Sequence, residues 1–202
     1  MKHPTSRLLH AYWDCLRGER AAPERAEIEP GAIRNLLADS LILEIDPTER
    51  RADVRLAGTR VCALFARELK GASFAALWGR HRAESDPWRL VETVASDTVG
   101  LIASLRGATE RGETVDLELL LLPLRHRGRT QARLLGALSP HLVPDWLGLR
   151  PLASLDTLSV RILGTHLAQI EDASQPAHMP PPANDFEPVR RGHLMVHTGG
   201  RA

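Results

Sequence analysis

Residues 114–124, TVDLELLLLPL, constrain the fold of this chain more than any other segment. The alternation at the start of this segment gives way to the run ELLLLPL. A strand with one face in water alternates, whereas a strand apolar on both sides is covered on both sides. The sheet that contains it therefore needs two covering layers. Pro123 has no amide proton and predicts a bulge or an unpaired edge position. Residues 99–106 and 130–138 alternate and read as further strands. RHRGRT, with Gly128 at its tip, predicts a hairpin between the last two.

The first half of the chain supplies the cover. Leu8, Leu9, Tyr12, Trp13 and Leu16 recur at helical spacing, with Thr5 or Ser6 as the expected cap and Gly18 as the stop. This aromatic stripe suits packing on its own sheet, on a partner chain, or on both. Residues 20–29 are polar, carry Pro23 and read as an extended connector. Pro30 suits the first position of a short helix over residues 31–37. Strands follow at 40–46 and 53–57, joined by a charged turn and closed by Gly58. A helix is expected over residues 59–68, with Val61, Leu64 and Phe65 on one face and Gly71 as a break. Phe74, Leu77 and Trp78 form a hydrophobic turn. Asp86-Pro87 opens a helix that carries Trp88, Val91, Val94 and Ala95 on one face. Beyond Pro140 the chain is mixed, with strand-like residues at 155–163; residues 172–202 are Pro-rich or aperiodic and read as mostly disordered.

Composition excludes several classes of function. A net charge of +1 gives no global field for nucleic acid or an anionic membrane. Arg dominates, and Lys occurs only at Lys2 and Lys70, the pattern of a GC-rich genome. No apolar run reaches the roughly 20 residues of a membrane helix, and the N-terminus lacks a signal-peptide core, so a cytoplasmic location is expected. Cys15 and Cys62 form no C-x-x-C and read as buried thiols; no metal site is expected. There is no G-x-S-x-G, no H-E-x-x-H and no phosphate loop, so the chain does not read as an enzyme. Arg125, His126, Arg127 and Arg129 are the densest basic cluster. They read as a charged hairpin tip ahead of a specific anion contact, such as a nucleotide second messenger.

The order helix, two strands, several short helices, three strands resembles a PAS domain. YWDCLRGER, RAEIEP, LADSLILEID, VRLAGT with LFARELKG, and DWLGLRPL look like the proteobacterial stand-alone PAS branch formerly known only as a domain of unknown function. The resemblance spans roughly residues 6–164. Ala66 departs from it, because Gly is expected where LFARELKG turns. The resemblance implies an α+β fold: a five-stranded antiparallel sheet with helices on one face and an N-terminal flanking helix. Residues 1–19 would form that helix, 20–164 the PAS-like domain and 165–202 the tail.

It also implies a sensory or regulatory module that acts through protein–protein contact, as a homodimer or on a signalling partner. Tyr12, Trp13 and Leu16 are the expected interface. A ligand pocket would take its apolar lining from Phe65, Trp78, Trp88 and Val91, with Arg55 and Thr59 as polar anchors. In that case a second reading is a small-molecule binding protein with no signalling output of its own. A filled core would leave an interaction domain. Flavin is not expected, since Cys62 in RVCALF lacks an Asn-Cys-Arg context. Haem is not expected either, since His81, the best-placed axial candidate, reads as a solvated loop residue, and His10 and His141 are weaker.

Overall fold

A computed structural model of the chain describes residues 1–79, 85–164, 189–191 and 194–196. The first unit, Met1–Thr165, is built on a sheet of order β2-β1-β5-β4-β3-β6, antiparallel throughout. The strands are β1 (Ser40–Asp46), β2 (Arg51–Ala57), β3 (Gly100–Thr109), β4 (Thr114–His126), β5 (Arg129–Pro140) and β6 (Leu152–Leu163). The sheet has six strands, a correction to the expected five. The strand-like residues after 154 belong to β6, which returns along β3 from Thr109↔Leu152 to Gly100↔Leu163. In the second unit β7 (Val189–Arg191) pairs antiparallel with β8 (Leu194–Val196), inside the segment read as disordered. The remainder of that tail lies outside the described residues.

Strand β4 is buried on both faces, as its composition demands. Leu117, Leu119 and Leu121 enter one core with Leu41, Leu43, Leu101 and Leu134. Leu120, Leu122 and Leu124 enter a second core on the opposite face. The first core is covered by α2 (Thr59–Leu64), the 3-10 turn Phe74–Trp78 and α3 (Pro87–Asp97). The second is covered by α1 (Pro4–Arg17) and the connector, through Leu9, Trp13, Ala22, Ile28 and Ile33. The chain thus covers its own second face. Pro123 pairs with Leu134 of β5, but it lies beyond Leu121, the last β4 residue paired with β3, so its missing proton costs no ladder bond there.

The local signals act mostly where expected. Asp86 accepts from the Trp88 amide (3.1 Å) with Pro87 at the first position of α3. The α1 cap is His3, whose Nδ1 accepts from the Thr5 amide at 3.2 Å; Thr5 and Ser6 are instead inside the helix and buried. Pro4 explains the shift, since it takes the first helical position and so makes His3 the cap, two residues before Thr5. The helix expected over 31–37 is a set of turns ending in a 3-10 turn, Leu37–Asp39. Helix α2 stops at Leu64 rather than running to 68, because Ala66 takes a left-handed φ of 48°. The amide of Ala66 donates to Ala63 O and that of Arg67 to Cys62 O, the paired bonds of a Schellman stop. Gly58 is required by closeness: a Cβ there would lie 2.0 Å from the Leu37 carbonyl oxygen.

Candidate functional site

The six residues expected to line one pocket do not converge. Phe65, Trp78 and Val91 are buried within the α2/α3 core. Trp78 is fully enclosed, donates from Nε1 to Thr157 Oγ1 (3.1 Å), and meets the Phe74 ring edge-on at 5.1 Å. These are contacts of a packed interior. Thr59 is exposed at the start of α2. Arg55 is exposed on β2 and lies in a separate groove.

Trp88 and Val91 do come together, with Arg50, Ser73, Phe74 and Pro87, around a space of ≈ 250 Å³. The Arg50 guanidinium, also in its lining, sits 5.9 Å from the centre of the Trp88 ring, a cation–π contact. Trp88 Nε1 is buried without a hydrogen-bond partner. A smaller space of ≈ 130 Å³ lies between α2 and the turn after β5, lined by Arg60, Leu64, Leu138, Val143 and Leu147. There the Arg60 guanidinium is held in a two-point pair by the buried Asp39, at 2.9 and 2.7 Å.

The expected interface residues have mixed placements. Trp13 is only 4% exposed and its Nε1 donates to the Pro123 carbonyl at 2.8 Å, so its indole is committed to its own sheet. Tyr12 and Leu16 are half-buried at the margin of the same core, and Tyr12 Oη accepts from the Glu29 amide at 2.9 Å. The N-terminus is fixed by Glu118, which is 2% exposed and accepts from the amides of Lys2 (2.7 Å) and His3 (3.0 Å). Burial pushes the Glu118 carboxyl up, but those amides outweigh it and hold its pKa below the ordinary value. Burial also lowers the pKa of His3, which favours the neutral ring that caps α1.

Cys62 is half-buried on α2, with Sγ 4.0 Å from the Ala57 carbonyl and 3.8 Å from Glu68 Oε1. His81, the residue considered for haem, lies outside the described residues, as do His178, His193 and His197. His10 packs beside Trp13, with ring centroids 5.9 Å apart. Among the described residues no group of three or more His, Cys, Asp or Glu is placed to hold a metal ion, and no helix is long and apolar enough to cross a membrane.

Sequence spacing had no means of showing the outer-face groove. It is lined by basic residues from five separate segments, Arg25, Arg55, Lys70, His126 and Arg133, too far apart along the chain to form a motif.

Two solved structures are similar in outline. One, titled as a flavin-analogue study of the light-oxygen-voltage domain mechanism, is 14% identical, with a TM-score of 0.43 over 59% of this chain and 87% of that one. The other, the light state of the blue-light photoreceptor Aureochrome1 LOV, is 15% identical, with a TM-score of 0.40 over 58% and 91%. No curated protein matches. The assignment rests instead on a family model described as a PAS domain, which matches residues 1–139 and so takes in α1, the connector and five of the six strands. This chain belongs to the PAS domain family.

Proposed function

We propose that this protein is a cytoplasmic PAS regulator, rather than an enzyme, that works by contact with another protein, in the first instance a second copy of itself. The observation that carries the reading is a strip on β6. Leu158, Val160 and Ile162 are 51%, 47% and 52% exposed. Val160 pairs with Ala103 and Ile162 with Leu101, both residues of the α2/α3 core, so the strip is the uncovered margin of the core face. Among the described residues β6 is the last strand of the sheet. At the other end the loop after α2 protects β2, where Gly71 N donates to Val54 O and Val54 N to Ala72 O. A long apolar edge left open on one side only is a contact surface.

Alongside it, Leu8, Tyr12 and Leu16 on α1 remain available to a partner, whereas Trp13 is not. The test is light scattering on the full chain across a micromolar concentration range. A dimer that becomes a folded monomer in Val160→Glu/Ile162→Glu supports the reading. A monomer at all concentrations, or a dimer indifferent to those changes, overturns self-association through β6.

A second reading, a small-molecule binding protein without its own output, draws support from the space beside Trp88. Its test is the intact native mass: added mass lost in Trp88→Ala favours it, and bare chain mass rejects it.

A further inference from the structure

We infer that the outer face of the sheet carries a binding site for a small phosphate-bearing molecule with a flat apolar part. The site goes beyond the contact function proposed above and stands on different residues. Its place is the end of the outer face that α1 leaves bare, between the connector and β2, where a groove of ≈ 480 Å³ opens. That volume is within the range of about 300–1,000 Å³ usual for small ligands.

Five cationic or titratable side chains line the groove: Arg25, Arg55, Lys70, His126 and Arg133. No carboxylate lines it. For a chain whose net charge is +1, this is a strong local concentration of one sign. Two acids on adjoining segments make contacts of their own, and neither lines the groove. Glu44 pairs with Arg133 Nη2 at 2.9 Å, and Glu68 accepts from the Lys70 amide at 3.0 Å. No salt bridge is formed by Arg25, Arg55 or Lys70 among the described residues.

Arg133 gives the cluster a fixed point. Its side chain is 13% exposed, and its Nε is buried with no acceptor. Several arginines around one groove suit phosphate oxygens, which accept the guanidinium fork at two points. With Arg133 paired to Glu44, the groove keeps three cations without an ion-pair partner among the described residues, Arg25, Arg55 and Lys70, a setting that favours a ligand of more than one negative charge.

The floor determines the rest of the ligand. Ile42 and Leu56 form it, and Leu56 is 44% exposed. Regular alternation would have turned Leu56 inward, two residues after the core residue Val54. A bulge prevents this: Ile42 pairs with Leu56 but Leu43 with Val54, leaving Arg55 as the extra residue. The bulge sets Arg55 and Leu56 together in the groove, a cation beside an apolar surface.

The test is calorimetric titration of the full chain with three probes: inorganic pyrophosphate, ADP and adenosine. The expected result is saturable binding of ADP about tenfold tighter than pyrophosphate, weakened by salt, and no binding of adenosine. Arg25→Ala and Arg55→Ala, both away from the cores, should each weaken ADP at least about tenfold with unchanged melting temperature. Leu56→Ser should remove the advantage of ADP over pyrophosphate. Arg127→Ala, at the exposed hairpin tip outside the groove, controls for charge alone. The inference is overturned if neither anion saturates at millimolar concentration in low salt. It is equally overturned if Arg127→Ala costs as much as Arg55→Ala, or if pyrophosphate binds as tightly as ADP. None of these outcomes depends on whether the protein dimerises through β6.

Discussion

Single residues set where the elements of this protein stop and how its N-terminus is held. Ala66 adopts a left-handed conformation in which an L side chain is strained and glycine is not. Ala66→Gly should therefore stabilise the chain by about 0.5–1 kcal/mol, since the relief of strain exceeds the extra entropy of the unfolded glycine. A urea titration checks this; an unchanged or lowered midpoint would mean that the α2 stop is not strained. His3 and Glu118 make the N-terminal anchor sensitive to acid. Both have folded pKa values below their ordinary ones, so in each case the unfolded chain takes up its proton first as pH falls. Stability is full above the ordinary histidine range near 6.5. It declines first as His3 protonates, and again below about pH 4.3 as Glu118 does. His3→Asn, which keeps a capping side chain, should lessen the first decline and leave the share of His10, whose pKa burial also lowers. Glu118→Gln should make the second shallower in melts recorded from neutral to acid pH, with the other hydrogen-bonded carboxylates keeping their share.

At the scale of elements, α1 is part of the fold rather than an appendage. Its Trp13 fills the outer core and bonds Pro123 on β4. Trp13→Ala should cost about 3–5 kcal/mol, the usual range for emptying a buried aromatic site, and should do so in the monomer. Trp13→Phe should recover most of the packing but leave the Pro123 carbonyl without its donor, at a cost of about 1–2 kcal/mol. Equal stability of all three proteins in denaturant would show that α1 does not dock on its own sheet. The same element shows how far sequence reading reaches. The stripe Leu9, Tyr12, Trp13 was visible from spacing, and so was the need to cover β4 twice. Which chain provides the cover was not, because apolar periodicity describes a face and not what it meets. The Thr5/Ser6 cap failed for a local reason, since Pro4 competes for the first turn and moves the boundary.

At the scale of the whole sheet, two regions of different character are left open among the described residues. The β6 margin is apolar, with Leu158, Val160 and Ile162 open to solvent. The outer groove beside β2 is basic. A small anion bound in the groove would touch β1, β2, β4 and β5 together, and so would bias the sheet that also carries the exposed β6 margin. Any such coupling is reciprocal. Dimer dissociation constants measured with and without saturating ADP should then differ, and ADP affinity should change by the same factor on dimerisation. Identical constants would leave two independent sites on one sheet.

The sequence by itself determined the antiparallel α+β character, the double burial of β4, the hairpin at Gly128, the opening of α3 and the PAS resemblance. The burial of β4, the hairpin and the opening of α3 are written in neighbouring residues, through alternation, a turn or a cap, whereas the fold class came with the resemblance carried by the quoted motifs. The tertiary structure alone decided the sixth strand, whose mixed composition conceals its pairing with β3. It also decided that Phe65, Trp78, Trp88, Val91, Arg55 and Thr59 do not form one pocket, since whether facing side chains meet or leave a space depends on packing. The basic groove belongs to the same class. Arg25, Arg55, Lys70, His126 and Arg133 are scattered along the chain, and only the strand order and one bulge bring their charges to a common surface.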